Sequence, residues 1–237
     1  PIPTTTPTPP LPPLSLLEGI RNFPSENTLN GVLFRVFNRD FKHGGRFYGP
    51  PHQSLPREDR ARILIDGEPT VELDYRGHHI RMLYHMRGLD FQGSPYEPFT
   101  AVEAAKVLTL VLINNSRDDR SSIYAALNNL SEGSRVTESP VTVAGKPPSY
   151  KEMKHLVDEI RSFHSPIARY FNSGIGLRLQ RKDADIAERV MLTLAEQGIK
   201  TLPIHDSFIV QSRHEGTLRD AMISEYRELM GHEPEIR

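Results

Sequence analysis

Two aspartates far apart in the chain carry the first chemical signal. Asp74 closes the run Val71-Glu72-Leu73-Asp74-Tyr75, which alternates like a strand and turns at once into a helical pattern from Gly77. Asp206 stands in Thr201-Leu202-Pro203-Ile204-His205-Asp206-Ser207-Phe208-Ile209-Val210, an apolar run broken by His-Asp-Ser, the pattern of a β-hairpin with a polar tip. A strand-end carboxylate and a hairpin-tip carboxylate can converge across a sheet while their strands stay buried. Two such carboxylates suit a pair of Mg²⁺ ions about 3.5–4 Å apart, with Mn²⁺ as the alternative metal, an arrangement used for in-line phosphoryl or nucleotidyl displacement. The rest of the chain is expected to serve this pair.

The bulk numbers bound that expectation. A chain of 237 residues can bury one large core or two small lobes. Lysine and arginine total 29 against 30 aspartates and glutamates, so no global field draws in nucleic acid, and a local groove would have to do so. The absence of cysteine excludes disulfides and zinc–thiolate sites. No apolar run approaches the roughly 20 residues of a membrane span. Nor does the Pro/Thr-rich start resemble a secretory signal. The expectation is a soluble, cytoplasmic protein that binds no membrane.

The elements that must position the aspartates follow in chain order. Pro1–Pro13 is too proline-dense for helix or sheet and is expected to be an extended tether. Leu14–Ile20 suits a short helix and Gly31–Phe37 a strand. Asn38–Pro56 is expected to be a loop, locally basic through Arg39, Lys42 and Arg46, with Gly44-Gly45 allowing close backbone approach to a ligand. Strands over Ala61–Ile65 and Thr70–Tyr75 flank the turn Asp66-Gly67-Glu68-Pro69. Helices are expected over Gly77–Arg87, Phe99–Asn115, Ser121–Leu130, Tyr150–Phe171 (interrupted near Pro166), Gln180–Gln197 and His214–Met230, with a jointed connection over Ser131–Pro148. Few strands, mostly paired as hairpins and separated by long helices, predict an α+β fold with an antiparallel sheet.

Several islands resemble the family-A DNA polymerases of the bacterial polymerase I type, and more distantly the bacteriophage single-subunit RNA polymerases. Asp74-Tyr75 followed by Ile80-Arg81, with Leu83 and His85, is similar to motif A of that family, Asp-Tyr-Ser-Gln-Ile-Glu-Leu-Arg. His205-Asp206-Ser207 looks like motif C, usually His-Asp-Glu in the DNA enzymes and His-Asp-Ser in the phage RNA enzymes. Gln180, Ala184 and Asp185 keep the spacing of the family's Gln-Gly-x-x-Ala-Asp helix start, and Gly45-Arg46 before Gln53-Ser54-Leu55-Pro56 is similar to Gly-Arg…Gln-Asn-Ile-Pro. The likeness covers about residues 44–210, in islands only.

The resemblance implies a palm with a fingers insertion: palm over 14–97, fingers-like helices over 98–148, and the second part of the palm over 149–237. It implies a DNA-directed DNA polymerase that adds nucleotides to a 3′-hydroxyl. Asp74, Asp206 and the carbonyl of Tyr75 would be the metal ligands. Lys106, His79 and Asn114 would face the nucleotide. Arg46, Gln53, Gln180 and His205 would contact nucleic acid. The implied partners are a DNA primer–template (or an RNA one), nucleoside triphosphates, and an accessory replication subunit or a larger parent chain.

Departures from the family pattern keep rivals open. Val102 replaces the arginine expected four residues before Lys106, and Asn114 replaces the tyrosine expected eight residues after it. Lys106 could equally be a lysine snorkelling from a buried helix. His79 replaces the glutamate that excludes a ribose 2′-hydroxyl, and an imidazole could also hydrogen-bond that hydroxyl. Asp185 is expected to orient its neighbours rather than bind metal. The rivals are a primase-like or RNA-synthesising polymerase and a non-catalytic nucleic-acid-binding palm.

Overall fold

The computed structural model describes residues 20–21, 32–116 and 149–237. The expected tether, most of the helix expected over Leu14–Ile20, the helix over Ser121–Leu130 and the connection over Ser131–Pro148 lie outside them.

The strands are β1 (Ile20–Arg21), β2 (Phe34–Phe37), β3 (Gly44–Tyr48), β4 (Leu64–Ile65), β5 (Glu68–Asp74), β6 (Leu202–Ile204) and β7 (Ser207–Gln211). The helices are α1 (Arg57–Arg60), α2 (His78–His85), α3 (Val102–Asn114), α4 (Tyr150–Phe163), α5 (Gly176–Glu196) and α6 (Glu215–Met230). A five-stranded sheet runs in the order β1-β4-β5-β7-β6, and β2 and β3 form a separate hairpin. The described pairings are all antiparallel. The fold is therefore α+β with antiparallel sheets.

Three local readings of the sequence need correction. Ile20 is in a strand rather than at a helix end. Gly44–Tyr48 is a strand paired to Phe34–Phe37, not part of one long loop. Its glycines hide the alternation, and its stability comes from packing on α5. Helix α5 begins at Gly176, a full turn before Gln180.

The central strand delivers its carboxylate by simple alternation. Leu73 and Tyr75 point into the main core, where they meet Phe208, Val210, Met222 and Tyr226, with Val71 partly buried beside them. Thr70, Glu72 and Asp74 face the other way. On that side a small second core of Ile63, Ile65, Leu202 and Ile209 covers part of the sheet. It leaves the Asp74 end open. The tight β4–β5 turn places Asp66 at φ 55° and Gly67 at φ 82°, the two positive values a type I′ hairpin demands. After Tyr75 the chain reverses into α2 through Gly77 at φ 59°. A Cβ there would meet Pro95 Cγ at 2.8 Å, so close approach as well as backbone angle requires glycine.

Helix α4 starts with a complete capping box, Ser149 and Glu152 exchanging side-chain-to-backbone hydrogen bonds. It ends at Phe163, before Pro166, and a 3₁₀ turn over Ala168–Tyr170 follows. Among the described residues no helix is long and apolar enough to cross a membrane.

Candidate active site

The register of β5 against β7 brings the two aspartates together. Asp74 lies opposite Ser207, and Tyr75 N–H donates to the Asp206 carbonyl at 3.2 Å. Asp206 sits in the two-residue turn between Ile204 and Ser207. The other turn residue, His205, is held at φ 56°, a left-handed conformation that costs a non-glycine residue about 1–2 kcal/mol. The imidazole of His205 packs edge-on against Tyr48 at 5.2 Å, and its buried Nδ1 has no hydrogen-bond partner among the described residues. Ser207 spends its hydroxyl on Glu72 at 3.0 Å, and Arg60 grips the same carboxylate with two nitrogens at 2.9 Å.

Both aspartates line a cleft of about 620 Å³, a size typical of small-molecule sites. Its lining also includes Tyr75, His79, Lys106, Asn114, Arg46 and Gln180. Two of the residues expected to bind ligand stand apart from that lining. Gln53 donates to the carbonyls of Phe47 and Pro203, at 3.1 and 3.0 Å, which ties the β3 end to β6. His205 contributes to the turn rather than to the cleft wall. Asp185 bonds Arg35 at 3.1 Å and Arg181 at 2.8 Å, an ion-pair role away from the cleft.

The charges around the aspartates are uneven. Burial and then repulsion by Asp206 raise the Asp74 pKa, and Arg237 opposes the shift. The Arg237 guanidinium touches Asp74 Oδ2 through Nε at 2.9 Å and Nη2 at 2.7 Å. It arrives on a short antiparallel segment in which Asp74 and Arg237 exchange backbone hydrogen bonds at 3.1 Å and Ile236 pairs with Tyr75. Glu235 anchors this segment to Arg76 and to the buried Arg81. Arg81 also donates to the carbonyls of Arg76, Phe91 and Gly93, fixing the loop that forms the cleft rim. Lys106, on α3, is 43 % exposed and paired with Glu103 at 2.6 Å. Asn114 donates to Leu110 one turn back at 2.8 Å and packs against Gly176.

The donor set fits a hard divalent cation. Mg²⁺ is usually held by one or two carboxylates, with waters and substrate phosphates completing its shell, rather than by an all-protein cage. Two carboxylates and a nearby backbone carbonyl at an open cleft meet that description. So does the guanidinium drawn onto Asp74, since the site already attracts a cation. Among the described residues no group of three or more His, Cys, Asp or Glu gathers as a metal site.

Sequence reasoning missed the carboxylate beneath this cleft. Asp183 is only 2 % exposed. Arg46 holds it through Nε at 2.7 Å and Nη2 at 2.6 Å, and His78 Nε2 lies 3.4 Å away. Burial would raise the Asp183 pKa, but the Arg46 charge and both imidazoles carry it well below the ordinary carboxylate range. Burial would lower the Arg46 pKa, but Asp183 and Asp206 keep it raised. Burial pushes the His79 pKa down, Asp183 opposes the shift, and the Arg46 and His78 charges add to it. His78 stacks on the Tyr75 ring at 4.7 Å. One signal was present: Asp183 is in helical phase with Leu179, Ile186, Ala187 and Val190, a carboxylate inside an apolar stripe.

No protein-family model and no curated protein matches the chain. Among solved structures, the chain is similar to the POL domain of Pol1 from M. smegmatis, a structure in complex with DNA primer-template and dNTP. The identity is 13 % and the TM-score 0.41, covering 86 % of this chain and 46 % of that one. The chain thus spans about half the length of that relative. At this distance its ligands cannot be carried across residue by residue, and the functional reading rests on the chain's own site.

Proposed function

We propose that this chain is a minimal polymerase-type nucleotidyltransferase that extends a 3′-hydroxyl on a DNA primer–template. The observation that carries the reading is the meeting of Asp74 and Asp206, 132 residues apart in sequence, at one cleft whose walls also carry Lys106, His79, Arg46 and Gln180. The resemblance of those same positions to motif A, motif C and the Gln-Gly-x-x-Ala-Asp helix start supports it. The division into a palm (14–97 and 149–237) and fingers-like helices (98–148) belongs to this proposal.

In the proposed reaction the primer 3′-oxygen attacks the α-phosphorus of a nucleoside triphosphate. The bond from that phosphorus to the α–β bridging oxygen breaks, pyrophosphate leaves, and the hydroxyl proton passes to water. Asp74, Asp206 and the Tyr75 carbonyl would hold two Mg²⁺, which when bound supply Lewis-acid stabilisation of the charge on the transferring phosphoryl group. Lys106 would release Glu103 and meet the triphosphate. Asn114 and His79 would border the nucleotide. Arg46 and Gln180 would offer donors to minor-groove acceptors common to every base pair, checking shape rather than sequence. Asp74 must exchange Arg237 for metal. A thumb or clamp would come from an accessory subunit or a longer parent chain.

The test is extension of a labelled primer–template by the purified chain with Mg²⁺, supplying dNTPs and rNTPs in separate reactions, beside Asp74→Ala and Asp206→Ala. Template-dependent extension abolished in both variants, with DNA binding retained, is the expected result. DNA binding without extension in the parent protein would favour the non-catalytic palm, a rival supported by Val102 and Asn114 replacing the family's arginine and tyrosine. Extension surviving in both variants would sink the assignment of these aspartates.

A further inference from the structure

Segment 235–237 is fixed along its main chain and loose at one side chain. Arg76 N–H donates to the Glu235 carbonyl at 2.8 Å, and Asp74 and Arg237 exchange N–H to carbonyl bonds at 3.1 Å. The Glu235 carboxylate holds Arg76 and the buried Arg81, and Ile236 packs partly buried against the main core. Opening the segment would break all of these contacts together. The Arg237 side chain, by contrast, is 61 % exposed. Its Nε and Nη2 both address Oδ2 of Asp74 instead of forking across the two carboxylate oxygens, and the fork is the stronger geometry. An ion pair this exposed contributes little stability and is readily exchanged.

The other lysine and arginine residues of the cleft lining keep their partners when a metal alone binds. Arg46 is held by Asp183, Arg76 by Glu235 and Glu97, and Lys106 by Glu103. Arg237 differs. Its ion-pair partner among the described residues is Asp74, one of the two carboxylates suited to Mg²⁺. A divalent ion on Asp74 takes that partner away and repels the guanidinium as a like charge. The main-chain bonds keep the residue in place, so metal binding leaves an unpaired cation at the cleft wall.

We propose that Arg237 is a polyphosphate-binding residue released by metal: its guanidinium rests on Asp74 until Mg²⁺ displaces it, and then holds the phosphate tail of the incoming nucleotide. This role rests on the nucleotidyltransferase reading, because it requires Mg²⁺ at Asp74 and a polyphosphate in the cleft. A guanidinium suits phosphate oxygens through planar, charge-assisted hydrogen bonds. Metal and polyphosphate binding become cooperative through this one side chain, since the metal removes the ion pair that otherwise occupies it. Pyrophosphate offers the same chemistry as the nucleotide tail.

Calorimetry on the whole chain separates the two positions of the arginine. Mg²⁺ is titrated alone, and pyrophosphate, dATP and deoxyadenosine are titrated at saturating Mg²⁺, into the parent protein, Arg237→Ala and Arg237→Lys. Arg237→Ala should bind Mg²⁺ roughly two- to fivefold more tightly. It should bind pyrophosphate and dATP about tenfold more weakly, with deoxyadenosine unchanged. Arg237→Lys should recover part of the phosphate affinity. Opposite signs from one substitution are the signature: a counter-ion alone would strengthen metal and phosphate binding together, and a structural prop alone would weaken both. ¹H–¹⁵N spectra of arginine-labelled protein, with Arg237 assigned by difference from Arg237→Lys, follow its Nε–H without any turnover. Mg²⁺ should speed exchange of that proton with water, and pyrophosphate should slow it again. Pyrophosphate and dATP binding that is unchanged or tighter in Arg237→Ala overturns the proposal and leaves the nucleotidyltransferase reading standing. So does an Nε–H exchange rate that Mg²⁺ does not alter, or a loss that appears for dATP and not for pyrophosphate. Binding of neither pyrophosphate nor dATP by the parent protein overturns that reading and the proposal together.

Discussion

Gly176 opens α5 where that helix meets the end of α3, and replacing it with alanine tests how tightly the cleft wall is built. An added Cβ would lie 2.2 Å from Asn114 Oδ1, 2.9 Å from Cγ and 3.0 Å from the α-carbon. Unstrained carbon–carbon approaches begin near 3.5 Å, so the overlap with the side chain is on the order of 1 Å. Asn114 cannot swing away freely, because its Nδ2 is bonded to the Leu110 carbonyl at 2.8 Å. The overlap with its α-carbon involves backbone and yields only if α3 and α5 separate. Overpacking of this kind costs about 1–3 kcal/mol, against about 0.5–1 kcal/mol gained from alanine in a helix. The clash wins. Gly176→Ala should lose about 1–2 kcal/mol of stability, which for a chain of this size lowers Tm by roughly 2–8 °C. In an Asn114→Ala background the Oδ1 and Cγ overlaps vanish, so the same change should cost roughly 0.5 kcal/mol or less, giving a coupling of about 1 kcal/mol. Thermal and urea denaturation of the four proteins measure this cycle. An equal loss in both backgrounds, or no loss in the first, would refute the close approach of α5 to Asn114.

Without divalent metal, Asp206→Asn should raise Tm at neutral pH, because burial and Asp206 together raise the Asp74 pKa. A raised carboxylate pKa means that stability is lost as pH rises from the ordinary value through the folded one, so the gain should fade as pH falls toward about 3.8, where Asp74 holds its proton in the folded chain. Arg237→Ala removes the counter-ion of Asp74; with that arginine 61 % exposed, the cost should stay under about 1 kcal/mol, while calorimetric Mg²⁺ affinity should increase as a competing cation is lost. His164 is fully buried between the Tyr84 hydroxyl and the Pro95 carbonyl, and burial pushes its pKa down to about 4. The unfolded chain takes up that proton first, so urea stability should fall by on the order of 3 kcal/mol as pH drops from about 6.5 to 4. His164→Gln should flatten that fall, and a pH-independent stability over this range in the parent protein would contradict the burial.

Patterns confined to a few neighbouring residues were legible in the chain itself. Alternation placed Val71–Asp74 in a strand, Asp66-Gly67 announced its hairpin, and a period of 3.6 marked α2 and α4. These depend on local backbone preference and on which side of an element is apolar. The β2–β3 hairpin was not legible, because Gly44 and Gly45 carry no side chain to alternate, and α5 rather than local propensity holds that strand in place. The first turn of α5 is hidden for a related reason: Gly176 is a weak helix former that fits closely against Asn114.

Local pattern is enough to put two aspartates at a strand end and a hairpin tip, within an antiparallel α+β chain. Their meeting belongs to the folded packing, because the register Asp74 to Ser207 depends on how two distant strands share a core. That packing alone brought Lys106 and Asn114 on α3 to the same cleft, left Gln53 bracing β3 against β6, and laid Arg237 on Asp74. Asp183 shows the division most clearly. Its phase within α5 is written in the chain, but a buried carboxylate is tolerable only if cations meet it, and Arg46 lies 137 residues away. Proximity of that kind arises from packing, which no short window of residues encodes.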